Sequence, residues 1–259
     1  MGLLTGYTGL VFGVANDRSL AWHIASHLIQ HGAMCGFSCL PGEKAERRVR
    51  KTLETGGLCE PWIHPCDVSS DKDIDGLFTA VRKTFGAIDF VVHSMAFADR
   101  RYLRPGRFTE TPREVFAQAM DISAYSLISI AHHARAIMPG GGSIIALSYY
   151  GSEKVIPGYN VMGVAKAALE CSVRYLAAEL GADGIRVNAI SAGAVRTLSA
   201  MAVGDIDELF GWIERKAPLR RNIQAEEVGR AAVYLASDLS SAVTGETIHV
   251  DAGYSTIGV

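Results

Sequence analysis

No stretch of this 259-residue chain is apolar for long enough to span a bilayer, and its first residues lack the basic, then apolar, then small-residue order of a secretory signal. Both absences predict a cytoplasmic protein with no membrane partner. Charge of one sign is missing too. With 25 basic and 27 acidic side chains the formal charge is −2, without the basic excess or stripe that a nucleic-acid partner would need. Cysteine is scarce. Cys35, Cys39, Cys59, Cys66 and Cys171 form an odd set without a CxxC pair, which suits reduced, partly buried thiols rather than a disulfide framework or a zinc site. The neighbouring His132 and His133 would point in different directions from a helix and have no suitably spaced carboxylate, so no metal is expected. Linkers, low-complexity segments and internal repeats are absent, and 1–259 reads as a single domain large enough for a substantial core.

Short apolar runs alternate with amphipathic segments along the whole chain. Strands are predicted at 9–14, 34–40, 62–64, 88–94, 143–148, 187–191 and 247–250, most of them too apolar for a sheet with one wet face. Helices are predicted at 19–31, 43–53, 71–85, 113–138, 159–180 and 225–237. Repeated βα units of this kind build an α/β, Rossmann-like, doubly wound parallel sheet with helices on both faces. Ligands of such sheets sit outside the carboxyl ends of the strands, near the switch in strand order.

The first βα turn runs from Gly13 to Ser19. A glycine there lets backbone approach a pyrophosphate, and free amides at a helix start favour the anion. The usual GxGxxG is absent, so a simple strand-to-helix connection remains as good a reading of this turn taken alone. Asp67, after the third strand, can hold an adenine ring or cap the helix that follows. Ser94 to Ala98 would let a flat ring lie against backbone, and the turn from Ser191 to Leu198 offers amides and the Thr197 hydroxyl.

The most informative segment holds Tyr149, Tyr159 and Lys166. Tyr159 and Lys166 stand seven residues apart, nearly two turns of the predicted helix, so both would leave one face with Cα atoms about 10 Å apart along the axis. A phenol and an ammonium so arranged suit proton and hydride chemistry. An arrangement of Tyr-x3-Lys with a serine thirteen residues before the tyrosine is missing, because positions 163 and 146 are Gly163 and Ala146.

Taken together, Gly13 with Ser19-Leu20-Ala21, Cys66-Asp67-Val68, His93 to Ala98, Ser148-Tyr149, Tyr159 to Gly163 with Lys166, Arg186 to Gly193, Val195 to Leu198 and Thr244-Gly245-Glu246 resemble the short-chain dehydrogenase/reductase superfamily. Within it the chain is most similar to the bacterial enoyl-[acyl-carrier-protein] reductases of type II fatty acid synthesis. The resemblance implies hydride transfer to the β-carbon of a trans-2-enoyl thioester through an enolate, the last step of the elongation cycle. Tyr159 would stabilise the oxyanion, Lys166 would hold the nicotinamide ribose, and Tyr149 would position substrate or move a proton. It also implies dinucleotide contacts from Gly13, Ser19, Leu20, Leu40, Asp67, Val68 and Met95. Further cofactor contacts would come from Val195, Arg196, Thr197, Leu198 and Ser199, and substrate contacts from Ala98, Met162 and Met201 together with the two tyrosines. A substrate-binding lid is expected at about 198–217, with a homotetramer built through the last segment and the Tyr159 helix.

Several positions depart from the family pattern. The second strand ends in Leu40-Pro41, neither an acid for a ribose hydroxyl nor a basic pair for a 2′-phosphate. NADH is favoured and NADPH left open, with Lys44 and Arg47 as the nearby cations. The lid carries Asp205, Asp207 and Glu208 where relatives are often basic, while Arg100, Arg101, Arg104 and Arg107 follow the fourth strand. That basic group either docks an acidic carrier protein or a coenzyme A phosphate, or is a solvated loop. Ala194 stands where proline is usual, making that turn less rigid. A related reductase of enoyl-CoA or another activated alkene, and a non-catalytic dinucleotide sensor, are the alternative functions.

Overall fold

The computed structural model describes residues 2–197 and 206–258, and for 206, 207 and 209 the backbone alone. Seven parallel strands form one sheet: β1 (Thr8–Phe12), β2 (Met34–Cys39), β3 (Ile63–Pro65), β4 (Phe90–His93), β5 (Gly142–Ser148), β6 (Ile185–Ala192) and β7 (Thr247–Val250). Their order, β3-β2-β1-β4-β5-β6-β7, reverses between β1 and β4, where Phe12 lies beside His93. That is the switch point at which a crevice opens.

The predicted strands are all present, within one or two residues at most ends. β3 closes on Pro65, which an edge strand tolerates because no further ladder bond is required of it. Alternation along β1 divides the core in two. Val11 faces Ile24, Leu28 and Val228 on one side, while Leu10 and Phe12 face Ile74, Leu77, Leu127 and Leu169 on the other. Helices α1 (Leu20–Gln30), α2 (Glu43–Thr55) and α8 (Ala225–Ala236) cover the first face. Helices α3 (Asp71–Phe85), α5 (Ser126–Arg135) and α6 (Val161–Leu180) cover the second.

Three helical boundaries differ from expectation. The helix predicted over 113–138 is α4 (Arg113–Met120), a π-helical turn (Asp121–Tyr125) and then α5. The wider turn turns two buried hydroxyls inward: Ser126 Oγ accepts from His93 Nε2 at 2.8 Å and Ser123 Oγ from the Phe97 amide at 3.0 Å. Helix α7 (Ile206–Lys216) falls where only a lid was expected. Its signal was the apolar spacing of Ile206, Phe210, Ile213 and Ala217, and the last three are buried in the first core. Finally, α6 starts at Val161, so Tyr159 precedes the helix instead of belonging to it.

Candidate active site

A cavity of about 390 Å³ lies at the carboxyl ends of β1, β4, β5 and β6. It gathers Gly13, Ser19, Leu20, Met95, Ala98, Tyr149, Tyr159, Met162, Lys166, Val195 and Thr197 of the expected residues. Leu40, Asp67 and Val68 are not on its wall. Leu40 is exposed just past β2, and Asp67 and Val68 follow β3 at the same edge of the sheet. Arg196 is next to the wall, its guanidinium 4.5 Å from the centroid of the Phe210 ring. Leu198, Ser199 and Met201 fall outside the described residues.

Gly13 is dictated by its surroundings. Its φ is 97°, and a Cβ there would stand 1.9 Å from the Ser94 carbonyl oxygen, so no other residue fits without moving β4. Ser19 Oγ turns back to the loop, accepting from the Ala15 amide and donating to the Asn16 carbonyl, instead of capping α1. The first amides of α1 therefore keep no side-chain acceptor and face the crevice with the positive end of the helix dipole. This cradle fits the pyrophosphate of a dinucleotide on its own geometry. Asp67 Oδ1 accepts from the Ser69 amide and hydroxyl, while the cap of α3 is Ser70, which accepts from the Asp73 amide.

Lys166 is 5% exposed and donates to the carbonyls of Leu147, the last residue but one of β5, and Met95, two residues past β4. Burial, only partly offset by the Glu170 carboxylate, pulls its ammonium down to about 8. One turn further along α6, Glu170 is buried and its Oε1 accepts from Ser148 Oγ and, at 2.6 Å, from Ser152 Oγ. The sequence reading missed this carboxylate. Its signal was an acid four residues after Lys166 on the apolar face of the helix.

Tyr159 is placed by a turn rather than a helical face. Its amide donates to the Ile156 carbonyl, and Asn160 follows at φ 44°, ψ −120°. The Asn160 Nδ2 group donates to the carbonyls of Tyr102 at 2.6 Å and Arg104 at 2.8 Å, tying the turn to the arginine loop. Such a backbone conformation is uncommon for a side chain other than glycine and is held here by those two bonds. Burial raises the phenols of Tyr159 and Tyr149 well above the ordinary tyrosine value, so both hold their protons at neutral pH. Gly151 lies under the Tyr159 ring, where a Cβ would come within 2.3 Å of Cδ1.

In the arginine loop, Arg101 is bound to Asp99 and Arg107 to Glu110, at 2.6 and 3.0 Å. Arg100 lines the cavity mouth and Arg104 is exposed, and among the described residues neither has an acidic partner. His133 meets a carboxylate that spacing did not reveal, Asp75 of α3, at 2.8 Å. Among the described residues no three metal-ligating side chains come together.

The profile of the family described as Enoyl-(Acyl carrier protein) reductase matches residues 13–255. The Rhizobium meliloti protein named Enoyl-[acyl-carrier-protein] reductase [NADH] 1 is 50% identical over 258 residues, covering 100% of this chain and 93% of its own. The Staphylococcus aureus Enoyl-[acyl-carrier-protein] reductase [NADPH] FabI is 50% identical over 254 residues, covering 98% of each chain. Among solved structures, the Bacillus cereus enoyl-acyl carrier protein reductase with NADP+ and indole naphthyridinone superimposes with a TM-score of 0.96 at 50% identity, over 100% of both chains. With a parallel sheet, a dinucleotide cradle and the Tyr149, Tyr159 and Lys166 cluster at its switch point, this chain belongs to the enoyl-(acyl carrier protein) reductase family.

Proposed function

We propose that the protein reduces the trans-2 double bond of an enoyl thioester carried on acyl carrier protein, with NADH as reductant. The observation that carries this reading is the Tyr159 phenol, partly buried, protonated and lining one crevice with Lys166. The bound dinucleotide supplies the hydride. Gly13 and the start of α1 would hold its pyrophosphate, Met95, Val195 and Thr197 would contribute further contacts from the cavity wall, and the Lys166 ammonium, fixed by two carbonyls, would bind ribose hydroxyls.

Reduction at the β-carbon moves negative charge to the thioester oxygen. Tyr159 donates to that oxygen, and a placed donor of this kind contributes about 3 kcal/mol to the transition state. Tyr149, at the cavity wall beside it, positions the thioester and keeps a second phenol within reach for proton return to the α-carbon. Ala98, Leu103 and Met162 line the apolar side that receives the acyl chain, with Val161 packed in the same cluster. The substrate-binding lid expected at about 198–217 includes α7 in this reading, and 198–205 lie outside the described residues.

The acidic carrier meets the arginine loop, where Arg104 is free of an acidic partner among the described residues. A homotetramer is part of the same proposal, supported by the exposed Tyr125, Ile128, Val164 and Tyr175 on adjoining helices α5 and α6 and the turn before them. So is a cytoplasmic location, which suits the buried, unpaired thiols of Cys35, Cys39 and Cys66. The decisive experiment follows NADH oxidation with crotonyl and longer enoyl thioesters, each on carrier protein and on coenzyme A. Turnover with preference for the carrier form supports the reading, preference for coenzyme A reassigns the substrate, and inactivity on every thioester overturns it.

A further inference from the structure

The end of β5 is fastened to α6 at two adjacent residues. Lys166 donates to the Leu147 carbonyl, and Glu170, one turn on, accepts from the Ser148 hydroxyl. Ser152 completes the arrangement from the far side, so both residues that bracket Tyr149 and Tyr150 end on one carboxylate oxygen. The bracketed segment carries Gly151, which lies against Tyr159, and Tyr149 itself packs on the Tyr159 ring. A carboxylate only 7% exposed, bonded to the Ser148 hydroxyl on the wall of a crevice that must stabilise an oxyanion, calls for an explanation. A charge that is unfavourable for the oxyanion persists only where something else depends on it.

We propose that Glu170 is a positioning residue of the reaction, holding the Tyr149 segment on α6 and balancing the Lys166 ammonium inside the crevice. The proposal rests on the reductase reading of this site, which it deepens. Around Lys166, His93 of β4, Tyr149 and Tyr159 are the other titratable groups, and none of them supplies compensating negative charge. His93 is fully buried and held neutral, its pKa lowered to about 3 by burial and by Lys166. The two phenols keep their protons. Glu170 is thus the one carboxylate among the described residues whose charge favours the ammonium there.

The two functions separate by substitution. Glu170→Gln keeps an oxygen able to accept from both serines and removes only the charge, whereas Glu170→Ala removes both. In Glu170→Gln, kcat at pH 6.5 should stay within about threefold of wild type while the pH at which NADH affinity is half lost falls by about one unit, the scale of a neighbouring charge. Glu170→Ala should add a drop of roughly tenfold in kcat at pH 6.5, through loss of two hydrogen bonds on the Tyr149 segment. Ser152→Ala, which removes one of those bonds and no charge, should lower kcat without moving the pH midpoint. An unchanged NADH-binding profile in Glu170→Gln overturns the charge balance. Wild-type kcat in both Glu170→Ala and Ser152→Ala overturns the positioning role. NADH binding, read by fluorescence, needs no turnover, so failure of wild-type enzyme on every thioester is told apart from failure of the Glu170 proposal.

Discussion

The rings of Tyr149 and Tyr159 stand at 73° to one another with centroids 5.0 Å apart, an edge-on contact that fixes where each hydroxyl can go. Removing the Tyr159 hydroxyl leaves this packing in place and deletes only the donor. Tyr159→Phe should therefore lower kcat by about 100-fold, as loss of an oxyanion donor does, while the NADH dissociation constant stays near wild type. Steady-state kinetics together with cofactor titration measure both, and an unchanged kcat would remove Tyr159 from the chemistry.

Lys166 gives a pH dependence whose sign can be worked out. Its ammonium is charged below about 8, so NADH affinity is expected to be full at pH 6.5 and to decline as pH rises through that value. Apo stability runs in the opposite direction through this group. The folded state releases the proton before the unfolded chain does, so between about 8 and 10.5 this group makes stability rise with pH. Lys166→Ala should weaken NADH binding at pH 6.5 and abolish both trends, as read by titration and by melting at several pH values.

Gly13→Ala places a methyl group 1.9 Å from the Ser94 carbonyl in a backbone conformation that alanine avoids. Cofactor binding should fall by at least about tenfold with a lowered melting temperature, since strain of this kind costs on the order of 1–3 kcal/mol. Normal NADH affinity in this variant would show that the turn does not carry the pyrophosphate.

Charge reversal at Arg104 and Arg107 should raise KM for carrier-bound substrate by about tenfold and steepen no other parameter, because rim charges act on encounter with an acidic partner. An N-acetylcysteamine enoyl thioester, which has neither carrier nor phosphate, serves as the control. Equal losses on both substrates would point to damage transmitted through Asn160 to Tyr159, and no loss on either would leave the loop merely solvated.

Leu40 offers neither an acid to a ribose hydroxyl nor a cation to a phosphate, and the nearest cations, Lys44 and Arg47, belong to α2. The ratio of kcat/KM values should favour NADH, and Leu40→Arg should shift it toward NADPH by roughly tenfold through one charge-assisted bond. A wild-type ratio favouring NADPH would mean that Lys44 and Arg47 already bind the phosphate.

Sequence made the sheet legible because its central strands are buried on both faces and so carry an apolar signature, from Leu10-Val11-Phe12 of β1 to the β5 run of Ile144-Ile145. The site was legible where a residue type has few alternatives, as with Gly13 or the buried Lys166. Geometry that depends on neighbours far along the chain was not. The turn that lifts Tyr159 off α6 depends on the Tyr102 and Arg104 carbonyls, and the buried role of Glu170 depends on Ser148 and Ser152. A spacing of seven residues looked helical, yet the first two of them are bent by tertiary bonds that no periodicity records.

The π-helical turn at Asp121–Tyr125 sets the rotational phase between two helices. Upstream, Ala119 packs with Leu103 and Met162 on the substrate side, while downstream Leu127, Ile130 and Ala131 pack on the sheet. One residue of an α-helix is about 100° of rotation, so deleting a single residue here would turn Ala119 away from Met162 even if every side chain elsewhere kept its identity. The acyl side of the crevice is in this sense indexed by backbone length: its shape can be altered by counting residues as surely as by changing them.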